Sequence, residues 1–234
     1  MRIEPRLTPP VIPALREFGR GPVDLVPRET LIVDMEQSEN ALLNSMKPKG
    51  RYNIKLALRS SLEVFEDQTD ECVQRFYNVL REAGDRNDFA VEPQKFFQHL
   101  AEVLVPAGQA KFLFVRDEEE ILGALLLITY GTQATYLYGG VTNQKRNLMG
   151  GYALQWRAMQ IAKSFGCRTY DFYGFDPFRA PENSYARFSQ FKSQFGGRAV
   201  RFIGAQDYFF LDHLADAFVK VVNESSSSDL ARSC

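Results

Sequence analysis

Residues 46 to 60, MKPKGRYNIKLALRS, gather Lys47, Lys49, Arg51, Lys55 and Arg59, and no Asp or Glu stands between Glu39 and Glu63. Arg51, Lys55 and Arg59 recur every four residues, so in a helix they stack along one face, where like charges cost a few tenths of a kcal/mol per pair. Tyr52, Ile54, Leu56 and Leu58 are expected on the packed side. A cationic face without local acids is either simply solvated or a contact for phosphate, and the residues alone leave both readings open. The best-placed carboxylates are Asp171 and Asp176, which flank FYGF at a strand end. An Asp in that position more often caps a neighbouring loop than does chemistry.

Much other chemistry is missing. The two histidines are His99, among apolar neighbours in a helix, and His213, near the C-terminus; neither belongs to a Ser-His-Asp or Cys-His pattern. There is no Walker loop, no dinucleotide fingerprint and no cluster with metal-ligand spacing, so neither a metal nor a bound cofactor is expected. Cys72, Cys167 and Cys234 are scattered and odd in number, as reduced thiols of a cytoplasmic protein would be. What remains is a reaction run by positioning and electrostatics.

The elements that would position these residues lie in a chain of 234 residues, 45% hydrophobic, 24% charged and with a formal charge of −1. That composition suits a globular protein and argues against general electrostatic binding of nucleic acid; any polyanion site must be local. Aromatic content is 13%, with 19 Phe, enough to build a core and line a channel. No stretch approaches ~20 apolar residues, and the N-terminus lacks a signal-peptide core, although contact with a membrane surface is compatible with the sequence.

Residues 1–29 hold six prolines and little periodicity, as an extended segment would. TLIVDM then predicts a strand, SENALLNSM a helix capped by Ser38, and Pro48 the first turn of another helix to about Ser60. LEVFE predicts a strand, Thr69 the cap of a helix through Arg81, and PQKFFQHLAEVL a further helix. Three strands follow (KFLFVRD, EILGALLLITY, ATYLYGGV), the first two joined by an acidic hairpin turn. The longest helix is expected over Leu148 to Phe165, stopped at Gly166. The strand CRTYDFYGF, the helix YARFSQFKSQFGG, the strand RAVRFIG and an amphipathic helix FFLDHLADAFVKVVN complete the order, before a polar tail.

Several of these stretches together resemble one family. TLIVDM…SENALLNSMKPKGRYNIKLA is similar to its lysine-rich Arg-Tyr-Asn-Ile segment. TYLYGGV…YALQWRAMQIAKSFGCRTYDFYG is similar to its strand–helix–strand core, and YARFSQFKSQFGG to its glycine-ended helix. These are marks of the Fem aminoacyltransferases, which build peptidoglycan interpeptide bridges, and they occur in the right order over most of residues 1–220. The resemblance implies an α/β (α+β) fold of the GNAT acetyltransferase type: a mixed sheet with a central antiparallel hairpin and flanking helices. It implies transfer of an amino acid from aminoacyl-tRNA, the co-substrate, to an amine of a nucleotide- or lipid-linked peptidoglycan precursor. Typical members carry two such domains in tandem. The chain resembles the second, with 1–29 as the remnant of the exit from a first, 30–223 as the domain and 224–234 as a disordered tail.

The resemblance also implies site residues. Lys192, beside Phe191 in QFKSQFGG, matches the family's Phe-Lys pair, which implies a cation for the oxyanion of the tetrahedral intermediate or for the terminal phosphates of the tRNA. By pattern alone Lys192 is an exposed helix lysine. Tyr136 and Tyr138 match aromatic channel positions, and strand alternation puts both on one face; a stacked core pair is the other reading. The Arg-x-x-x-Tyr pair that grips the precursor's diphosphate aligns with Glu92 and Phe96, which repel phosphate and lack a hydroxyl donor. Arg86 and Lys95 are the nearby substitutes. With a polyanion supplied by the family, the run from Lys47 to Arg59 is expected to meet tRNA or lipid-linked pyrophosphate.

Acetyltransferases of this fold cradle the CoA pyrophosphate on a Gln/Arg-x-x-Gly-x-Gly/Ala loop. The equivalent stretch is Arg146 to Gly151, RNLMGG, with Met149 at the first glycine position, where a side chain obstructs the phosphate. Two other classes stay open: a GNAT-related N-acyltransferase acting on another amine, such as a polysaccharide amino sugar, and a degenerate, non-catalytic binding module.

Overall fold

The structure, a computed structural model, describes residues 1–10, 12–67, 69, 71–178, 185–210 and 220. In chain order the elements are β1 (Arg2–Ile3), β2 (Gly19–Arg20), β3 (Glu29–Asp34), α1 (Glu39–Ser45), α2 (Pro48–Ala57), β4 (Glu63–Glu66), α3 (Cys72–Asn87) and α4 (Gln94–Leu104). They continue with β5 (Ala110–Asp117), β6 (Glu120–Tyr130), β7 (Gln133–Val141), α5 (Gly150–Ser164), β8 (Thr169–Gly174), α6 (Ala186–Lys192), β9 (Arg198–Arg201) and β10 (Gln206–Asp207). The C-terminal helix expected from residue 209, with His213, Cys234 and the 224–234 tail, lies outside the described residues apart from residues 209, 210 and 220.

Alternating and near-continuous apolar runs make the sheet. Its strand order is β4-β5-β6-β7-β8-β3-β9, so the mixed architecture with a central antiparallel hairpin is present. The β4/β5, β5/β6 and β6/β7 pairs are antiparallel, and β7/β8 is parallel. The acidic turn between β5 and β6 is two residues long and puts Glu118 in the left-handed region at φ 56°. On β5, Leu113 and Val115 join one buried cluster with residues of α1, α2 and α5, while Phe112 and Phe114 join another with α3 and α4. The two clusters therefore occupy opposite faces of the sheet.

Local signals set most helix ends. Ser38 accepts from the Ala41 amide to cap α1, and Pro48 opens α2. Gly166, at φ 72°, closes α5 as the sequence predicts. Three expectations shift. Thr69 is not the cap of α3, which starts at Cys72 after Glu71; the Thr69 hydroxyl donates to Asp67 instead. That helix continues past Arg81 to Asn87 and, at 16 residues against 15, is longer than α5. Its Gly84 survives mid-helix because a Cβ there would lie 2.7 Å from Val91. On α2 the buried residues are Gly50, Asn53, Ile54 and Ala57, at i, i+3, i+4 and i+7. Tyr52 and Leu58, expected on the packed side, are 66% and 61% exposed.

The chain clusters into two compact units, Leu31–Ala199 and Met1–Thr30 with Val200–Cys234. In the smaller one the proline-rich segment is not merely extended. β1 and β2 flank β10 in an antiparallel three-stranded sheet. Arg2 Nε and Nη2 donate to the two Asp207 oxygens at 2.8 and 2.7 Å, which raises the guanidinium's proton affinity and holds the carboxyl below its usual range. The Glu4 carboxylate accepts from the Leu25 and Val26 amides.

Candidate active site at the parting of two parallel strands

β7 and β8 pair through three positions, Gln133 with Thr169, Ala134 with Tyr170 and Thr135 with Asp171, and then separate. At the parting, β7 is bulged: Tyr136 sits opposite Leu127 and Tyr138 opposite Leu126, leaving Leu137 unpaired. The extra residue breaks the alternation. Tyr136 and Tyr138 therefore do not share a face, which corrects the expectation from simple strand geometry. Tyr136 packs edge-on against Phe172 and its hydroxyl donates to Gly139 O at 3.2 Å. Tyr138 lies on the other face, 5.1 Å from Phe97 and 6.1 Å from Phe96.

Beside β7, past the parting, is a cavity of about 330 Å³ bounded by α3, α5 and α6; Lys192 and the residues of β8 are not among those that line it. Its apolar walls include Ala83, Leu125, Leu154, Phe188 and Phe191; Tyr136 lines it and Tyr138 does not. Gly139 and Gly140 form one side, and a Cβ on Gly140 would come within 2.5 Å of Ala83, so the close approach of α3 requires glycine there.

Three arginines also line the cavity, Arg86, Arg146 and Arg187, with no carboxylate among the lining residues. Arg86 Nη2 donates to Val141 O at 2.5 Å and Arg187 Nη1 to Asn87 O at 2.7 Å. Of the two substitutes suggested for diphosphate contact, Arg86 is at the cavity and Lys95 is exposed elsewhere on α4. Arg146 and Arg187 went unrecognised as a group with Arg86 because no sequence spacing links positions 86, 146 and 187.

Lys192 is not the exposed helix lysine its pattern suggests. It is 6% exposed, and its Nζ donates to the carbonyls of Gly174 at 2.6 Å and Tyr173 at 3.4 Å. Its ammonium lies 5.6 Å from the centre of the Tyr136 ring and 5.8 Å from that of Tyr185. Burial lowers its pKa to about 7, with the charge of Asp171 pulling the other way. The two carbonyls are presented by an unusual strand end. Tyr173 is in the left-handed region at φ 54°, and Gly174 has no Cβ because the Tyr185 ring occupies that space. Burial also raises the pKa of Tyr136, Tyr170 and Tyr185.

Both strand-end carboxylates cap local backbone. Asp171 accepts from the Tyr173 amide at 2.7 Å and Asp176 from the Phe178 amide at 2.9 Å. Behind them, Tyr170 OH donates to Gln155 Oε1 at 2.7 Å, and Gln155 reaches the cavity wall.

The Arg146–Gly151 loop departs from an open phosphate cradle in its backbone as well as its sequence. Lys145 and Met149 are both left-handed, at φ 43° and 61°, and the Leu148 and Met149 amides bond back to the carbonyls of Lys145 and Arg146. Lys145 is tied to Asp117 at 2.7 Å, and this bond, with one from Ser61, holds the Asp117 carboxyl below its usual range.

The five-cation run divides. Arg51 Nη1 donates to Met46 O and, at 3.1 Å, to Asn44 O, so this residue closes the end of α1. Lys47 donates to Ser193 Oγ at 3.2 Å. Lys49, Lys55 and Arg59 are exposed around Tyr52. Among the described residues no helix is long and apolar enough to cross a membrane.

A profile of the acetyltransferase (GNAT) domain matches residues 48–193. The chain is 23% identical over 244 residues to a lipid II:glycine glycyltransferase of Staphylococcus saprophyticus, covering 78% of the chain and 58% of that protein. To the lipid II:glycine glycyltransferase of Staphylococcus aureus it is 22% identical over 248 residues, covering 78% and 59%. The chain thus spans under two thirds of the length of these curated relatives. A crystal structure of FemX shares the fold, with a TM-score of 0.78 at 20% identity over 86% of this chain and 68% of that one. The resemblance to the Fem proteins read in the sequence holds, and the chain belongs to the acetyltransferase (GNAT) domain family.

Proposed function

We propose that the protein is an aminoacyltransferase that moves an amino acid from aminoacyl-tRNA to an amine of a peptidoglycan precursor, on the cytoplasmic side where charged tRNA is available and without a bound cofactor. The observation that carries this reading is the buried Lys192 amine beside Tyr136, at the parting of β7 and β8, in a chain related to lipid II:glycine glycyltransferases. Its lowered proton affinity suits proton transfer near neutral pH.

In the reaction, the acceptor amine attacks the carbonyl carbon of the aminoacyl ester and the C–N bond forms. Lys192 takes the proton lost by the amine and, as a cation, faces the oxyanion of the tetrahedral intermediate. The C–O bond to the ribose then breaks, and the same proton passes to the leaving ribose oxygen. The self-bonded Arg146–Gly151 loop supports a donor other than acetyl-CoA. Exposed Lys49, Lys55 and Arg59 supply phosphate contacts for tRNA or for a lipid-linked precursor, which would bring the protein to a membrane surface.

The test is incubation with charged tRNAs and nucleotide- or lipid-linked muropeptides, following labelled amino acid. Transfer by the wild type, lost in Lys192→Ala, is expected; transfer that Lys192→Ala leaves intact would remove the lysine from the mechanism. No transfer with any charged tRNA would overturn the reading. A second reading, N-acylation of another amine such as a polysaccharide amino sugar, draws on Glu92 and Phe96 standing where the diphosphate-gripping pair is expected.

A further inference from the structure

We propose that Gln155 is the residue by which the cavity recognises the carbonyl group of its acyl donor, and that Tyr170 is the positioning residue that fixes which end of the Gln155 amide faces inward. The inference rests on the reading that the cavity takes an acyl donor.

Gln155 is 2% exposed and lines the cavity from α5. Its Oε1 is occupied by the hydroxyl of Tyr170, a ring that is fully buried. Turning the amide over would leave the phenol proton without that acceptor, at the cost of an unmet buried donor. The Nε2 group is therefore held as the free end. Among the described residues it has no protein partner, and no side-chain nitrogen or oxygen is both sealed from solvent and unpartnered. A buried residue's unpartnered amide nitrogen thus opens on the cavity.

The other uncharged side-chain donors among the described lining residues are already engaged, Tyr136 OH with Gly139 O and Asn87 Nδ2 with Ala83 O. The charged donors, Arg86, Arg146 and Arg187, are exposed, whereas Gln155 is buried. Among the described residues the wall thus offers cations at its exposed side, apolar surface, and one unengaged neutral side-chain donor within. That order fits a phosphate-bearing acyl ester or thioester whose carbonyl oxygen accepts from Nε2. A neutral donor matches a carbonyl, and the arginines match phosphate. An aminoacyl ester of a tRNA 3′ end and a coenzyme A thioester share this chemistry.

Calorimetric titration of the full chain separates these cases. Four probes are used: a hydrolysis-resistant 3′-glycylamido adenosine 5′-phosphate, the same nucleotide with a free 3′-amine, acetyl-CoA and CoA. The wild type is expected to prefer the acylated nucleotide by about five- to tenfold, the worth of one neutral hydrogen bond. Gln155→Met, which keeps the volume, should erase that preference while leaving affinity for the unacylated nucleotide in place. Gln155→Glu should do the same, because its carboxylate repels the carbonyl. Tyr170→Phe should lose the preference too, whereas purely structural damage would weaken both nucleotides alike.

An acyl preference that survives Gln155→Met with the nucleotide overturns the Gln155 assignment and leaves the aminoacyl-tRNA reading standing. A Gln155-dependent preference for acetyl-CoA over CoA, with no binding of either nucleotide, keeps the assignment and overturns that reading. No acyl preference in the wild type with any probe overturns the assignment.

Discussion

Lys192 Nζ sits 2.6 Å from the carbonyl oxygen of Gly174, so the last residue of β8 holds the amine that α6 carries into the interior. The bond spans 18 positions of the chain, and it places a titratable group where water is largely excluded.

Stability should therefore climb with pH just above neutrality. An unfolded lysine keeps its proton up to 10.5, while the folded one releases it at about 7. Between those values the unfolded chain binds more protons, so unfolding becomes harder as pH rises. Cys167, whose pKa burial raises above 9.0, acts in the opposite sense beyond that point, which leaves pH 7 to 9 as the clean window. One proton contributes at most about 1.4 kcal/mol per pH unit. Urea unfolding at both ends of the window should show the slope in the wild type and its loss in Lys192→Met. An equal slope in both would sink the buried-amine account.

The bulge in β7 predicts that two tyrosines two positions apart differ in kind. Tyr138→Leu should lower stability by about 1–2 kcal/mol through its lost contacts with Phe96 and Phe97. It should not alter ligand binding in the cavity. Tyr136→Leu should change cavity affinity, because that ring lines the wall. Paired denaturation and binding measurements check this, and equal binding losses in the two variants would contradict it.

Charge reversal on α2 should separate by position. Lys49→Glu with Lys55→Glu and Arg59→Glu is expected to weaken tRNA binding and flatten its salt dependence without unfolding the chain. Arg51→Ala should instead cost about 1 kcal/mol of stability, since its guanidinium closes α1. Filter binding across a salt series, alongside thermal melts, decides it; unchanged tRNA binding in the triple variant would retire the polyanion role.

Gly174→Ala should damage the site through Tyr185. A Cβ at 174 would fall 2.0 Å from that ring, so the ring must move from its place 5.8 Å from the Lys192 amine. The expected cost is about 1–3 kcal/mol with a loss of transfer activity. An alanine variant as stable and as active as the wild type would show that the ring has room to yield.

What the sequence revealed follows the range of the forces involved. Ser38, Pro48 and Gly166 act on backbone within one turn, so the ends they set were readable. The hairpin of β5 and β6 follows from two apolar runs around two acidic residues. The α3 helix runs past Arg81 through Gly84 to Asn87, and the close approach of Val91 that calls for glycine at 84 is a tertiary fact.

The bulge at Leu137 likewise arises from pairing with β6, and no residue type in TYLYGG announces it. In the sequence, only the family resemblance points to Lys192. Its burial depends on carbonyls 18 and 19 positions upstream, which helical periodicity cannot register. The cavity arginines and Gln155 come from α3, α5, α6 and a loop, and only the folded chain brings them together.

The brief ladder between β7 and β8 sets a tension within the molecule. Every additional rung linking those two strands would gain backbone hydrogen bonds and draw β7, one wall of the void, out of place. Variants chosen purely for heat resistance would thus be driven toward zipping the seam shut, trading the room a ligand needs for rigidity.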